Sequence, residues 1–263
     1  MQDLTIALVQ SDLVWEDAQA NLNHFDKLLS DINENVDLII LPEVFNTAFP
    51  VDPEKFAETL DGPSINWMKE KSLKLNCSIT GSLLLKKSGQ FFNTLVYMKP
   101  DGTFDEYSKR HVFHLGDEAD TISPGKERII IKLKDWNIRP MICYDLRFPV
   151  WSKNTYTNKT FEYDLLFYVA NWPASRSYPW KQMLISRAIE NQAYVIGLNR
   201  VGKDGVGNNY SGDSMLIEPK GQIQKLLHPK QEEIAIVKLS MDALTDFRKK
   251  FNVGPDWDKF TIE

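Results

Sequence analysis

The chain has 263 residues, 43% of them apolar and 25% charged, and carries a formal net charge of -5. That composition excludes a disordered chain, and the mildly acidic balance lacks the basic footprint of a nucleic-acid binder. No apolar run is long enough to cross a bilayer, and the opening stretch MQDLTIALVQ has neither a basic nor an apolar leader region. The two cysteines, Cys77 and Cys143, give no disulfide framework and no zinc spacing, which suits a reducing compartment. A cytoplasmic protein is expected, with a small-molecule partner and no nucleic-acid or membrane partner.

In chain order, β-rich runs fall at 4–10, 37–41, 78–85, 93–99, 128–133, 138–144, 165–170, 194–200, 213–218 and 234–239. Several are continuous aliphatic blocks, such as Leu38-Ile39-Ile40-Leu41, as expected of strands buried on both faces. Four helical stretches interrupt them. The first starts near Glu16 and carries Leu22, Phe25, Leu28, Leu29 and Ile32 at helical spacing. The second follows Gly62-Pro63-Ser64, where proline suits a first turn. The third spans 177–191, with Trp180, Leu184 and Ala188 on one face and Ser177 as the expected cap. The fourth covers 241–251. Pro100-Asp101-Gly102 and Pro219-Lys220-Gly221 read as hairpin turns. Crossovers mixed with hairpins predict paired mixed sheets between helices, in one domain over 1–263.

Three reactive side chains stand where strands run out, and ligands bind beyond the carboxyl ends of strands in α/β sheets. Glu43 follows the 37–41 run through Pro42; alone it could be a surface carboxylate opening a loop. Lys109 follows a hairpin in a polar segment, where a lone lysine is ordinarily a solvated charge. Cys143 ends the run Ile138-Arg139-Pro140-Met141-Ile142 just before Tyr144-Asp145-Leu146-Arg147-Phe148-Pro149, a context resembling a nucleophile elbow. A buried, inert thiol is the competing reading for Cys143, and the preferred one for Cys77. A Cys143–His111 or Cys143–His114 dyad is an alternative; the His111-Val112-Phe113-His114 spacing suits metal ligation poorly.

Taken together, the segments Leu41-Pro42-Glu43, Lys109-Arg110-His111-Val112-Phe113 and Cys143-Tyr144-Asp145-Leu146-Arg147-Phe148-Pro149 resemble the Glu-Lys-Cys triad segments of the nitrilase superfamily. The resemblance extends through Gly81-Ser82, Asn93-Thr94, Ser123-Pro124-Gly125, Ala170-Asn171-Trp172-Pro173, Arg187-Ala188-Ile189-Glu190-Asn191-Gln192 and Tyr210-Ser211-Gly212-Asp213-Ser214. Its details are most similar to the ω-amidase branch, in particular the bacterial members. The resemblance implies a four-layer α-β-β-α sandwich of two mixed sheets flanked by helices, and a homodimer. It assigns Cys143 as nucleophile, Glu43 as general base, Lys109 as oxyanion partner with the Tyr144 N–H, and Glu118 as a second glutamate beside the triad. No metal or organic cofactor is required.

The implied reaction is hydrolysis of the terminal amide of a small 2-oxo dicarboxylate monoamide of the 2-oxoglutaramate type. Arg147 matches the family arginine for the far carboxylate, although an ion pair holding the elbow is the competing reading. Trp172 and Phe49 match aromatic positions against the substrate chain, Phe49 standing where related enzymes carry tyrosine. Arg176 is a second candidate cation. Sibling chemistry on N-carbamoyl amino acids, nitriles or other aliphatic amides shares the triad, so the pocket residues alone bear on that choice. The same fold could also serve as a non-catalytic binding module.

Overall fold

The computed structural model describes all residues except 1, 51, 115–117 and 263. One six-stranded sheet holds β1 (Leu4–Gln10), β2 (Leu38–Ile40), β3 (Ser78–Lys87), β4 (Gln90–Met98), β5 (Phe104–Ser108) and β16 (Glu233–Leu239), in the order β16-β1-β2-β3-β4-β5. The other holds β6 (Ile131–Leu133), β7 (Trp136–Ile142), β10 (Leu165–Ala170), β11 (Tyr194–Asn199), β14 (Met215–Ile217) and β15 (Ile223–Leu226), in the order β15-β14-β11-β10-β7-β6. Parallel pairs β1/β2, β2/β3, β7/β10 and β10/β11 form the centres, and antiparallel strands flank them. Small ribbons β8 (Tyr156–Thr157) with β9 (Thr160–Phe161) and β12 (Val201–Lys203) with β13 (Asn209–Ser211) complete the strands.

The layering follows from the two-residue period of a strand. In β1, Leu4, Ile6 and Leu8 enter a core shared with Ile138, Phe167 and Ile196 of the second sheet. Ala7 and Val9 enter a separate core with Phe25 and Leu29 of α1 (Ala18–Ser30) and Met68 of α3 (Pro63–Leu75). β2 divides likewise, with Leu38 and Ile40 facing the sheet interface and Ile39 facing the helices. On the outer side of the second sheet, α6 (Ser177–Asn191) buries Trp180, Leu184 and Ala188. The molecule is thus two mixed sheets flanked by helices, with short α2 (Pro53–Phe56), α4 (Glu118–Thr121) and α5 (Pro149–Ser152) and a last helix, α7 (Met241–Lys250).

Some expectations from sequence change. Residues 128–130 lie outside β6, which begins at Ile131, and the 213–218 run contracts to Met215–Ile217 because Asp213 turns left-handed at φ 57°. Ser177 is already helical and does not cap α6; its hydroxyl donates to Asp213 Oδ2 at 2.8 Å. Asp17 caps α1, accepting from the Ala20 N–H at 2.9 Å. Strand β5, with Asp105 and Glu106 beside Phe104 and Tyr107, is a half-exposed edge strand that hydrophobic runs do not reveal.

The loop after β2 is held from β3. The Ser82 hydroxyl accepts the Val44 N–H at 2.9 Å, and the Ser82 carbonyl accepts the Phe45 N–H at 3.1 Å. Val44 adopts φ 42°, so this loop is sharply bent. Gly81 permits the approach, since a Cβ there would lie 2.8 Å from Phe45 Cδ1 and 2.9 Å from Leu41 Cβ. Gly81→Ala should therefore destabilise the protein by about 1–3 kcal/mol, as overpacking does, measured as a lower midpoint in urea unfolding with an unchanged slope.

Candidate active site

Glu43, Lys109, Glu118 and Cys143, drawn from four separate segments, line one cavity of about 290 Å³. Glu43 lies beyond β2 and is buried. Its Oε1 accepts from Asn93 Nδ2 at 2.8 Å and Lys109 Nζ at 3.0 Å; its Oε2 accepts the Asn171 N–H at 2.6 Å. Asn171 Nδ2 also donates to the Glu43 carbonyl at 3.0 Å. Asn93 sits inside β4 and Asn171 follows β10, so each sheet grips the same carboxylate.

Lys109 follows β5 and is only 2% exposed, contrary to what its polar neighbours suggest. Its backbone is fixed by the Asn93 carbonyl at 2.8 Å and the Gly125 N–H at 2.7 Å. Gly125 admits no side chain, because a Cβ would lie 2.1 Å from the Ser108 carbonyl oxygen. Lys109 Nζ also donates to Glu118 Oε1 at 2.9 Å and Oε2 at 3.1 Å, while Glu118 Oε2 takes the Phe113 N–H at 2.8 Å. Glu118 opens α4; its neighbours Gly116 and Asp117 lie outside the described residues.

Cys143 follows β7 at φ 41°, a left-handed conformation that side-chain-bearing residues rarely adopt. It opens a short 3-10 helix over Cys143–Arg147. Tyr144 is its second residue, a position whose N–H has no partner within the helix. The thiol lines the same cavity as the Glu43 carboxylate, which acts on it electrostatically. The imidazoles do not take the thiol's proton-acceptor position: His111 is held by Asp145 at 2.8 Å and stacks on Phe148, and His114 tilts against Tyr144. Cys77 is buried in the helix-side core, where burial pushes its thiol up to about 11.

Arg147, Trp172, Phe49 and Arg176 all line the cavity as well. The Arg147 guanidinium lies 4.9 Å from the Trp172 ring centre, and Arg176 lies 5.3 Å from that of Phe113. Among the described residues no carboxylate pairs with Arg147, so the ion pair weighed from sequence is not formed there. Phe49 lies under the Lys109 ammonium at 5.6 Å. Sequence reasoning gave no role to Asn93, Asn171 or the Asp204–Tyr210 wall, in which Tyr210 donates to Asp204 Oδ2 at 2.8 Å. A buried asparagine inside an apolar run is the signal that marks the first, since buried amides require partners.

Electrostatics bind the cluster together. Burial works against the Lys109 charge, but Glu118, Glu43 and the Cys143 sulfur together outweigh it and hold the ammonium well above the usual lysine range. Burial, reinforced by Glu43, raises Glu118 against the opposing pull of Lys109. Burial and then Glu43 push the Cys143 thiol well above its ordinary value, with Lys109 pulling the other way. The thiol therefore keeps its proton at rest beside an acceptor carboxylate and a permanent cation, an arrangement suited to nucleophilic attack with concerted proton transfer.

A half-buried thiol, a buried lysine and two buried carboxylates lining one cavity of a paired-sheet sandwich define a class of hydrolase. The chain belongs to the carbon-nitrogen hydrolase family, whose profile matches residues 5–249. It is 43% identical to omega-amidase YafV of Escherichia coli over 262 residues, covering 100% of both chains. It is 31% identical to the 2-oxoglutaramate amidase of Bacillus subtilis over 222 residues, 83% of this chain and 84% of the relative. Among solved structures, XC1258 from Xanthomonas campestris, a CN-hydrolase superfamily protein with an arsenic adduct in its active site, superposes with a TM-score of 0.97 at 39% identity over 100% of both chains. Nit3 of Saccharomyces cerevisiae, of branch 10 of the nitrilase superfamily, gives 0.80 at 25% identity, covering 96% of this chain and 95% of that one.

Iodoacetamide should label Cys143 and spare Cys77. Lys109→Met removes the cation that opposes the rise of the Cys143 thiol, so labelling at neutral pH should slow by at least roughly tenfold, one pKa unit being about 1.4 kcal/mol. Peptide mass spectrometry against time reads both sites. An unchanged Cys143 rate would show that Lys109 does not act on the thiol.

Proposed function

We propose that the chain is a cysteine-dependent ω-amidase that converts a 2-oxo dicarboxylate monoamide of the 2-oxoglutaramate type to the free acid and ammonia. The observation that carries the mechanism is the hydrogen-bonded Glu43–Lys109–Glu118 cluster lining one cavity with the Cys143 thiol. The similarity to an omega-amidase and to a 2-oxoglutaramate amidase supports the substrate class. On this reading the chain acts as one carbon-nitrogen hydrolase domain over 1–263, as a homodimer. The need for a free thiol at Cys143 favours a cytoplasmic setting.

In the first half-reaction, Sγ attacks the amide carbon while its proton passes to Glu43. The oxygen becomes an oxyanion that accepts from Lys109 Nζ and the Tyr144 N–H. Collapse breaks the C–N bond, and Glu43 returns its proton to the departing nitrogen, leaving ammonia and a thioester on Cys143. In the second half, Glu43 takes a proton from water, whose oxygen attacks the thioester carbon. Collapse breaks the C–S bond, the acid leaves, and Glu43 returns the proton to Sγ, restoring the thiol. Glu118 keeps Lys109 charged and oriented through both halves.

Arg147 takes the far carboxylate, with Trp172 beneath its guanidinium and along the substrate chain. Phe49 packs against the substrate's carbon chain, and Arg176 adds a second positive charge at the cavity wall.

Cys143→Ala should abolish ammonia release while leaving the fold intact, and Lys109→Met should lower kcat by at least ~100-fold. Arg147→Lys keeps a charge but loses the planar fork, so kcat/KM for 2-oxoglutaramate should fall roughly 10- to 150-fold. A simple aliphatic amide has no carboxylate to lose and should be nearly indifferent. Equal losses on both amides would overturn the assignment of Arg147 while leaving the cysteine mechanism standing. A screen with N-carbamoyl amino acids and nitriles, ammonia being the readout, separates the ω-amidase reading from its sibling activities.

A further inference from the structure

Lys109 and Cys143 reach the cavity from different sheets, the first after β5 and the second after β7. The sheets share an apolar core, and packing of that kind fixes relative position less sharply than directional polar bonds do. Asp145, two residues beyond Cys143, is fully buried and spans that junction. Its Oδ2 accepts the Ile142 N–H at 3.1 Å and the Tyr107 hydroxyl at 2.7 Å. Its Oδ1 lies 3.0 Å from the His111 backbone N–H and 2.8 Å from His111 Nδ1. A carboxylate only accepts, so Nδ1 is the protonated nitrogen of that imidazole.

Tyr107 and His111 stand two residues before and two residues after Lys109. Their side chains are themselves fixed. The Tyr107 oxygen accepts from Trp151 Nε1 at 2.9 Å, and the His111 ring lies flat on Phe148 with centroids 3.7 Å apart and planes 8° apart. The Ile142 bond alone would suffice for a local turn. The other three donors all come from the lysine segment.

We infer that Asp145 is a positioning residue for the proposed amidase reaction: one buried carboxylate ties both flanks of Lys109 to the Cys143 elbow and so sets the ammonium-to-sulfur geometry. The inference rests on the proposed function for its catalytic consequence, though the tie itself exists without it. Reacting groups misplaced by about 1 Å can lose roughly 100-fold in rate, so the tie acts on turnover more than on binding.

Asp145→Asn keeps the size but exchanges one acceptor oxygen for an NH2 group, which faces two donors whichever way the amide turns. With 2-oxoglutaramate, kcat should fall roughly 100-fold while KM changes far less. The rate of Cys143 alkylation by iodoacetamide, followed against pH, should shift to higher pH as Lys109 relaxes away from the sulfur. A purely structural role would lower the melting temperature and leave kcat and the alkylation profile of the folded protein unchanged, overturning the inference.

Tyr107→Phe and His111→Phe remove donors from opposite flanks, the latter keeping the stack on Phe148, and they carry the test if Asp145→Asn does not fold. Each should lower kcat with little change in KM, and the pair together more than either. A kcat within about threefold of the parent in both singles and the double would overturn it. If the parent protein released no ammonia from any ω-amide, the proposed function would fall. The alkylation profiles would still decide whether Asp145 sets the Lys109–Cys143 geometry.

Discussion

The site depends on one ammonium group held out of water. Lys109 is buried with both of its carboxylate partners, and removing such charges from water costs several kcal/mol per ion unless hydrogen bonds replace the lost hydration. The replacement is nearly complete at the carboxylates. Glu43 takes three donors and Glu118 takes the same lysine twice plus a backbone N–H. One cation between two anions leaves a surplus negative charge in the cluster, and that surplus, added to burial, raises the Cys143 thiol. A thiol kept protonated at rest is protected from adventitious oxidation chemistry, which needs the thiolate. On the proposed mechanism it becomes nucleophilic when its proton moves to Glu43.

Holding this cluster requires backbone that no single segment would choose. Cys143 and Val44 both adopt left-handed conformations next to the reacting groups, and such residues cost on the order of 1–3 kcal/mol each. The surrounding structure supplies the constraint. Ser82 holds the Val44 turn, and Asp145 holds the cysteine turn from Ile142 through to the lysine segment. Asn171 crosses from the second sheet to bond both the carboxylate and the carbonyl of Glu43. Directional bonds thus stitch the two sheets at the cavity, in addition to the apolar core between them.

Legibility in the sequence tracked burial on both faces. The 4–10 and 165–170 runs coincide with β1 and β10 because continuous aliphatic blocks can only be central strands here, and α6 coincides with its apolar stripe over 177–191. Edge elements were silent: β15 is Ile-Gln-Lys-Leu and largely exposed, and β5 mixes acids with aromatics. Glu43 and Cys143 could be suspected locally because strands deliver them. Lys109 could not, since its burial depends on Glu43, 66 residues away, and on a helix that begins nine residues downstream. Only the joint pattern of three segments marked it. Asp145 lay within a quoted motif, yet its purpose is invisible there, because Tyr107 is 38 residues distant.

The charges of the cavity also differ from one part of its lining to another, and that difference bears on how a substrate would enter. The catalytic cluster has two carboxylates about one ammonium, whereas Arg147 and Arg176 present guanidiniums over Trp172 and Phe113. An amide is neutral and can approach Glu43 and Glu118 without a Coulomb penalty. A carboxylate entering the same way would meet two buried like charges, and the penalty grows as the effective dielectric falls. On the proposed function, the same carboxylate turned toward the arginines would gain charge-assisted bonds. On that reading, a molecule with an amide at one end and a carboxylate at the other would be oriented by repulsion at one part of the cavity as well as by attraction at another. A substrate neutral at both ends would gain nothing from either, so the discrimination attributed to the arginines is shared with the carboxylates that hold Lys109.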